Sequence, residues 1–452
     1  MGTNRTAVRR PAGRAVRAAA GVAIVSALAL TAAACGGTPP PGDQPGGDTE
    51  TAAGPDFTQR GPIKYVQGKD TSGNLQNQID AWNKDNPDEK VELVELPDNA
   101  DQQRAQMIQN AQTRSPEYTV LSLDVVWTAE FAANSYVDPL PADQFDMASF
   151  LQPTVDGATY FDQLYGIPGT GDGGLLYYRS DLLKEAGVAQ PPTTWQEMKD
   201  ACAAVKSKVS DAKDMGCFAG QYQKYEGLTV NVAEAVDSAG GALVDAQGVP
   251  TANSPQSVEG LNFLGESFAD GTIPKEAITW QEEQGRQAFQ DGKLIFHRNW
   301  PYAFALMSKS DGSSKVNGKF EVAPLPGKDG PGVSSLGGHN FAISSFAENK
   351  GTALDFIKYM TSAETQKANT LATSLAPTLT ALYDDPELNK KYPYMPTLKA
   401  SIESAKPRPK VVQYGDVTLA IQDATYPVMQ GDSTAADAMN QLQPRLEQLI
   451  QR

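Results

Sequence analysis

Histidine and cysteine are scarce in this 452-residue chain, which has two histidines, His297 and His339, and three cysteines. A zinc site assembled from His and Cys clusters is therefore close to excluded. No G-x-S-x-G elbow occurs and neither histidine has a clear serine partner, which argues against a serine hydrolase. Positive charge is also short: 38 Lys and Arg stand against 54 Asp and Glu, a net charge of −16. An acidic chain repels phosphate backbones, which speaks against nucleic acid as a partner. Long hydrophobic runs are missing, since the apolar stretch from Ala18 to Ala34 is too short and Ala-rich for a transmembrane helix. What is present is a 40% hydrophobic, 20% charged composition, enough for a sizeable core. The length suits two lobes plus extras.

The chain opens with Arg5, Arg9, Arg10, Arg14 and Arg17, then the apolar run, then Ala32, Ala33, Ala34 and Cys35. Positive start, apolar middle and small residues read as a secretory signal over residues 1–34. The junction resembles the lipobox of bacterial lipoproteins, with Ala32 where Leu is usual, and implies that Cys35 is acylated and anchors the chain to a membrane. The alternative is plain signal cleavage. Arg9–Arg10 lacks the apolar residues expected to follow in a twin-arginine signal. Without residues 1–34 the balance is 33 basic against 54 acidic, a net charge of −21. Residues 36–56 carry five Pro, six Gly and four acidic residues with no aliphatic larger than Ala, and read as a flexible tether.

From Ile63 the pattern alternates strand and helix: Ile63–Val66, then Leu75, Ile79 and Trp82 at helical spacing, Val91–Leu96, a helix marked by Met107, Ile108 and Ala111, and Val120–Val126. This predicts a parallel α/β sheet covered on both faces, with ligands beyond the C-terminal ends of strands and Asp124 near such an end. A second α/β set follows Gly166–Ile167–Pro168, with a strand-like run Gly173–Tyr178, helices over Ser180–Gly187 and Thr194–Val209, and a strand at Met215–Ala219. The C-terminal third reads as mostly helical. Cys202 and Cys217 would close a loop of about 16 residues, worth about 3 kcal/mol. In an exported protein a bridge is the expected state, against two buried thiols.

Four segments carry a specific resemblance: Ser122–Asn134, Gly166–Arg179 with the following Ser180-Asp-Leu-Leu, Pro192–Glu197, and Phe289–Tyr302 followed by Gly337–Ser344. In order and spacing these resemble the extracellular sugar-binding proteins of bacterial ABC importers (family 1), trehalose/maltose-binding branch, including mycobacterial trehalose-binding lipoproteins. The resemblance runs from about Ile63 to the C-terminus. It implies an α/β two-lobe periplasmic-binding-protein fold (type II, maltose-binding-like) with hinge crossings and a helical C-terminal part. The lobes would be residues 57–168 with 338–378, and 169–337 with 379–452. Crossings would fall near Gly166–Thr170, Ser335–Gly338 and Ala376–Leu382. Such a receptor catalyses nothing, needs no cofactor or metal, and works as a monomer on the extracytoplasmic face of the cell membrane. It closes over a disaccharide or small oligosaccharide and docks on the permease subunits.

Sugar recognition needs charged or amide partners for hydroxyls and flat aromatic faces for pyranose rings. Asp124 and Asp172 can accept hydroxyl protons, Arg408 can donate a fork, and Trp300 and Tyr302 can supply an aromatic wall. The branch's sugar-contacting positions fall on Asp124, Asp172, Trp300, Tyr302, Gly338 and Arg408, with Asp70, Asn134, Glu282 and His339 as further candidates. Thr170 stands where relatives often carry an aromatic, and His339 where a Trp is common. Plainer readings stand beside these: Asp124 as a helix cap, His339 as a turn residue, and Trp82, Trp127 and Trp195 as packing residues. The competing functions are a receptor for another solute, such as a different oligosaccharide, a polyol or a peptide, and a secreted glycosidase with a carboxylate pair about 5–10 Å apart.

Overall fold

The computed structural model describes residues 54–450. The signal segment, Cys35 and most of the tether lie outside them. The described residues belong to one compact unit. Two sheets organise it. The first has the order β2-β1-β3-β11-β6, where β1 is Ile63–Gly68, β2 Val91–Leu96, β3 Val120–Asp124, β6 Ile167–Gly173 and β11 Leu336–Ile343. A two-residue hairpin pair, β4 (Thr159–Tyr160) and β5 (Gln163–Leu164), precedes β6. The second sheet has the order β10-β7-β9-β8, with β7 Leu175–Tyr178, β8 Gly216–Ala219, β9 Leu294–Asn299 and β10 Glu321–Ala323.

In the first sheet the expected parallel pairing holds for β1, β2 and β3, and in the second β8 runs parallel to β9. β11 runs antiparallel to both β3 and β6, and β7 is antiparallel to β9 and β10. β6 enters the second sheet as β7 through Gly174 alone, and no helix intervenes to reverse the chain direction. A Cβ at Gly174 would lie 2.7 Å from Glu234 and 2.8 Å from Arg298, so only glycine lets the crossing pass this buried ion pair.

Helical residues follow their apolar spacing. Leu75, Ile79 and Trp82 are the buried face of Leu75–Asp85 and pack with Tyr65 of β1 and Phe356 of the helix Lys350–Thr361. The helix Trp195–Lys208 starts at a capping box of Thr194 and Glu197. The helix Glu226–Ser238 is buried on all sides from Glu226 to Val236, under Pro255–Ala269 and Tyr414–Gln430. The helix Ala435–Ile450 closes this helical layer. Cys202 and Cys217 are bridged, tying Trp195–Lys208 to β8. Trp82 and Trp127 are buried, and Trp195 stacks on Phe263 at 4.0 Å between ring centroids. His297 lies in β9, fully buried; burial pushes it down to about 3, so it stays neutral, with Nδ1 3.0 Å from the Ala219 carbonyl oxygen.

Among the described residues no helix is long and apolar enough to cross a membrane. No cluster of three or more His, Cys, Asp or Glu among them could hold a metal ion.

Candidate functional site

A cavity of about 320 Å³ opens between the two sheets. It is bounded by the C-terminal ends of β1 and β3, the crossing strands β6 and β11, the start of Glu226–Ser238, the start of the helix Glu282–Gln290, and Trp300 and Tyr302 just beyond β9. The volume is at the lower end of the range for small-molecule sites, about 300–1,000 Å³.

One wall is ionic. Arg408 is 3% exposed and reaches three groups: Nη1 donates to Glu226 Oε1 at 2.5 Å, and Nη2 to Asp124 Oδ1 at 2.9 Å and to the Leu336 carbonyl at 3.3 Å. Burial opposes the guanidinium charge, but Asp124, Tyr414 and Glu226 outweigh it and raise its pKa. Glu226 also accepts from Tyr414 and Thr418 hydroxyls, and burial, against Arg408, pushes it up to about 7. Asp124 ends β3 and accepts the Val126 N–H. The helix that follows has Trp127 at its N-cap, so Asp124 is not that helix's cap. Asp172 is 8% exposed, and its Oδ1 has no hydrogen-bond partner; the same is true of Arg408 Nε. Burial and then the nearby Asp124 push Asp172 up to about 7.

The other wall is aromatic and is anchored from behind. The Arg298 guanidinium lies 3.8 Å from the Trp300 ring centroid and is itself held by Glu234 through Nε at 2.7 Å and Nη2 at 2.5 Å. The Trp300 edge rests on Gly337, where a Cβ would come within 2.8 Å of the ring. Tyr302 donates to Glu283 at 2.7 Å, and Tyr225 donates to Glu282 at 2.7 Å.

Gly338 sits between the walls at φ +105°, and a Cβ there would lie 2.1 Å from the Thr170 carbonyl oxygen. Glycine is required at this position by both conformation and space. His339 lies opposite Asp124 on β3 and Thr170 on β6, its N–H donating to the Thr170 hydroxyl at 3.1 Å. Burial lowers the His339 pKa, leaving a neutral ring on the cavity wall.

The remaining sequence candidates divide. Glu282 lines the cavity. Asp70 lines it too, but its Oδ1 accepts from Ser72 and its Oδ2 from the Leu75 N–H, so its oxygens hold the start of Leu75–Asp85. Asn134 is a correction: it is exposed at the C-cap of Thr128–Ala133, its amide donating to the Glu130 carbonyl at 2.8 Å, and is not part of the cavity wall. Sequence reasoning missed Glu226, Glu283, Tyr225, Tyr65 and Gln103, which all line the cavity. One signal was available for Glu226. An acid at the head of a mostly apolar helix that is buried on every side must find a buried cation.

The geometry offers acceptors, a guanidinium and an aromatic face to one small molecule. The family described as bacterial extracellular solute-binding protein matches residues 77–397. A probable ABC transporter-binding protein of Deinococcus radiodurans is 32% identical over 82% of this chain and 89% of its own length. A galactooligosaccharide-binding protein of Bacillus subtilis is 21% identical over 92% of this chain and 94% of its own length. The solved structure of maltose-bound T. maritima MalE3 superposes with a TM-score of 0.81 at 31% identity, covering 86% of this chain and 99% of that one. The chain therefore belongs to the bacterial extracellular solute-binding proteins: it has the maltose-binding-protein-like two-lobe fold and is the solute-binding receptor of an ABC importer, not an enzyme.

Proposed function

We propose that this receptor captures a disaccharide of the trehalose or maltose type between its two sheets and delivers it to the permease. The observation that carries this reading is the pairing of an anchored Trp300 with two unpartnered buried atoms, Asp172 Oδ1 and Arg408 Nε, around one cavity. A buried polar atom without a partner costs about 1–3 kcal/mol, and sugar hydroxyls can both donate to the carboxylate and accept from the guanidinium. The pyranose face supplies the apolar surface that Trp300 needs. The names of the T. maritima and B. subtilis relatives, maltose-bound and galactooligosaccharide-binding, favour a saccharide. Lobes of residues 57–168 with 338–378, and 169–337 with 379–452, would each carry one sheet's share of the site. Cys35 is proposed as the lipid anchor, holding the receptor on the extracytoplasmic face of the membrane.

The test is a melting-temperature screen of the purified chain against mono-, di- and trisaccharides, polyols and short peptides. A ligand stabilises by RT ln(1 + [L]/Kd), so at a hundredfold excess over Kd the gain is about 2.7 kcal/mol. A disaccharide should give the largest shift; a peptide-only response would refute the sugar reading. For the anchor, Cys35→Ala should release the protein into the medium or leave it unprocessed. Cleaved Cys35→Ala protein that stays on the membrane would contradict the proposal.

A further inference from the structure

The helix Ala100–Gln112 packs on β1 and β2 and so belongs to the body of the first sheet. The helix Tyr414–Gln430 packs on Glu226–Ser238 and Pro255–Ala269 and belongs to the body of the second. The segment leading into it, Lys406-Pro-Arg-Pro-Lys410, has three cations separated by prolines. Its first residue is tied to the second body by its ammonium, 3.3 Å from Asp237 on Glu226–Ser238, while its backbone pairs with the entry into β11 at Ser334 and Leu336.

From there on the chain repeatedly touches the first body. Arg408 meets Asp124 at 2.9 Å. The Lys410 ammonium donates to the carbonyls of Asp156 and Thr159, at the C-terminal end of the helix Gln152–Ala158, where a cation is favoured. Gly415 lies against Arg104, and a Cβ there would fall 2.3 Å from Arg104 Nη2. Gln422 Nε2 reaches Asp101 Oδ2 at 3.4 Å. Arg104 is no free end: its Nε donates to Glu130 Oε2 at 2.7 Å and its Nη2 pairs with Glu130 Oε1, a carboxylate only 7% exposed.

We propose that the run from Lys406 to Gln422 is the closing strap of this receptor, and that the glycine at position 415 sets how far the two bodies can close by admitting the Arg104 guanidinium. This rests on the reading that capture closes the two sheets over the ligand. Gly415 has no bond of its own to Arg104 to lose; its contribution is the absence of a side chain. Alanine is the better helix residue at this second position of Tyr414–Gln430. Gly415→Ala therefore favours the helix in any state and disfavours only the state in which the bodies meet. A state that binds solute only when closed loses apparent affinity in proportion to its closed population.

The experiment places cysteines at Asp101 and Gln422 in a Cys35→Ser chain, with the Cys202–Cys217 bridge left oxidised. The rate at which a short bis-maleimide joins them is then measured without sugar and with maltose or trehalose. Gly415→Ala should slow the joining about tenfold while the unliganded melting temperature stays equal to wild type or rises. Adding Arg104→Ala with Glu130→Gln, which leaves no buried carboxylate unpaired, should restore the rate. An unchanged rate in Gly415→Ala overturns the proposal. So does a slowed rate that removing the Arg104 side chain does not rescue, or a fall in unliganded melting temperature that accounts for the loss. If neither sugar speeds joining in the wild type but Gly415→Ala still slows it, the saccharide reading fails and the strap stands.

Discussion

On the ionic wall of the cavity, Asp124, Arg408 and Glu226 mostly satisfy one another, and little of their charge is left for a ligand. On the aromatic wall, the polar partners lie behind the working surface: Arg298 and Glu234 hold Trp300, and Glu283 holds Tyr302. The Arg408, Glu226 and Asp124 cluster ties its own fold to its chemistry, so its cation cannot be removed without disturbing the protein. The aromatic wall keeps its support and its working surface apart. In physical terms the ionic wall sets which atoms may be matched, through Asp172 Oδ1 and Arg408 Nε, and the aromatic wall supplies apolar contact that tolerates change.

The strongest way to break this contrast is Arg408→Ala. It leaves Asp124 and Glu226 facing each other without their shared cation, and removing one partner of a buried pair costs about 3–5 kcal/mol. Denaturant unfolding should show a loss of that size together with loss of sugar binding. A variant as stable as wild type would mean that the ionic wall is not a structural unit.

Trp300→Ala is expected to be milder and of a different kind. The protein should keep its unliganded stability near that of wild type and lose about 0.5–1.5 kcal/mol of affinity beyond simple area, or about two- to tenfold. Denaturant unfolding beside titration calorimetry separates the two walls: equal losses of folding stability in Arg408→Ala and Trp300→Ala would erase the distinction.

The smallest effect is a slope against pH. The Asp172 pKa is raised from 3.8 to about 7, chiefly by burial, so the folded chain holds this proton more tightly than the unfolded one. Its contribution to stability is full below the ordinary aspartate range and is lost as pH rises toward about 7. The unliganded melting temperature should therefore fall less steeply between these limits in Asp172→Asn than in wild type. A sugar hydroxyl donating to Asp172 favours the ionised form, so binding below neutrality should release a proton and tighten as pH rises. Identical slopes in both proteins would show that Asp172 does not titrate in this range.

Where the fold was legible, periodicity carried it. Leu75, Ile79 and Trp82 mark a helix that the structure places at Leu75–Asp85, and the alternation in Val91–Leu96 matches β2 residue for residue. The crossing strands were not legible. β6 reads Ile-Pro-Gly-Thr-Gly-Asp-Gly, a composition that signals a loop, and it becomes a strand only because β11 pairs with it and its glycines admit Phe341, Thr154 and Ser401 at close range. The resemblance singled out Asp124, Trp300 and Arg408, and the structure brings all three to the wall of one cavity. The site was not legible where a side chain's partner is far away in sequence, as with Glu226 and Arg408, 182 residues apart. Asn134 failed for a local reason: six residues of helix turn it away from Asp124 and end on its own cap.

The central claim is that one saccharide is held between the walls. Titration calorimetry of the best sugar from the screen, with wild type and with the Asp172→Asn/Trp300→Ala double variant, tests it most directly. Neither residue supports a sheet core, and the asparagine matches the neutral acid in shape, so the variant should fold and melt close to wild type. The account predicts that its affinity falls by more than either single change produces alone. Binding as tight as wild type in the folded double variant would contradict it and place the sugar elsewhere on the protein.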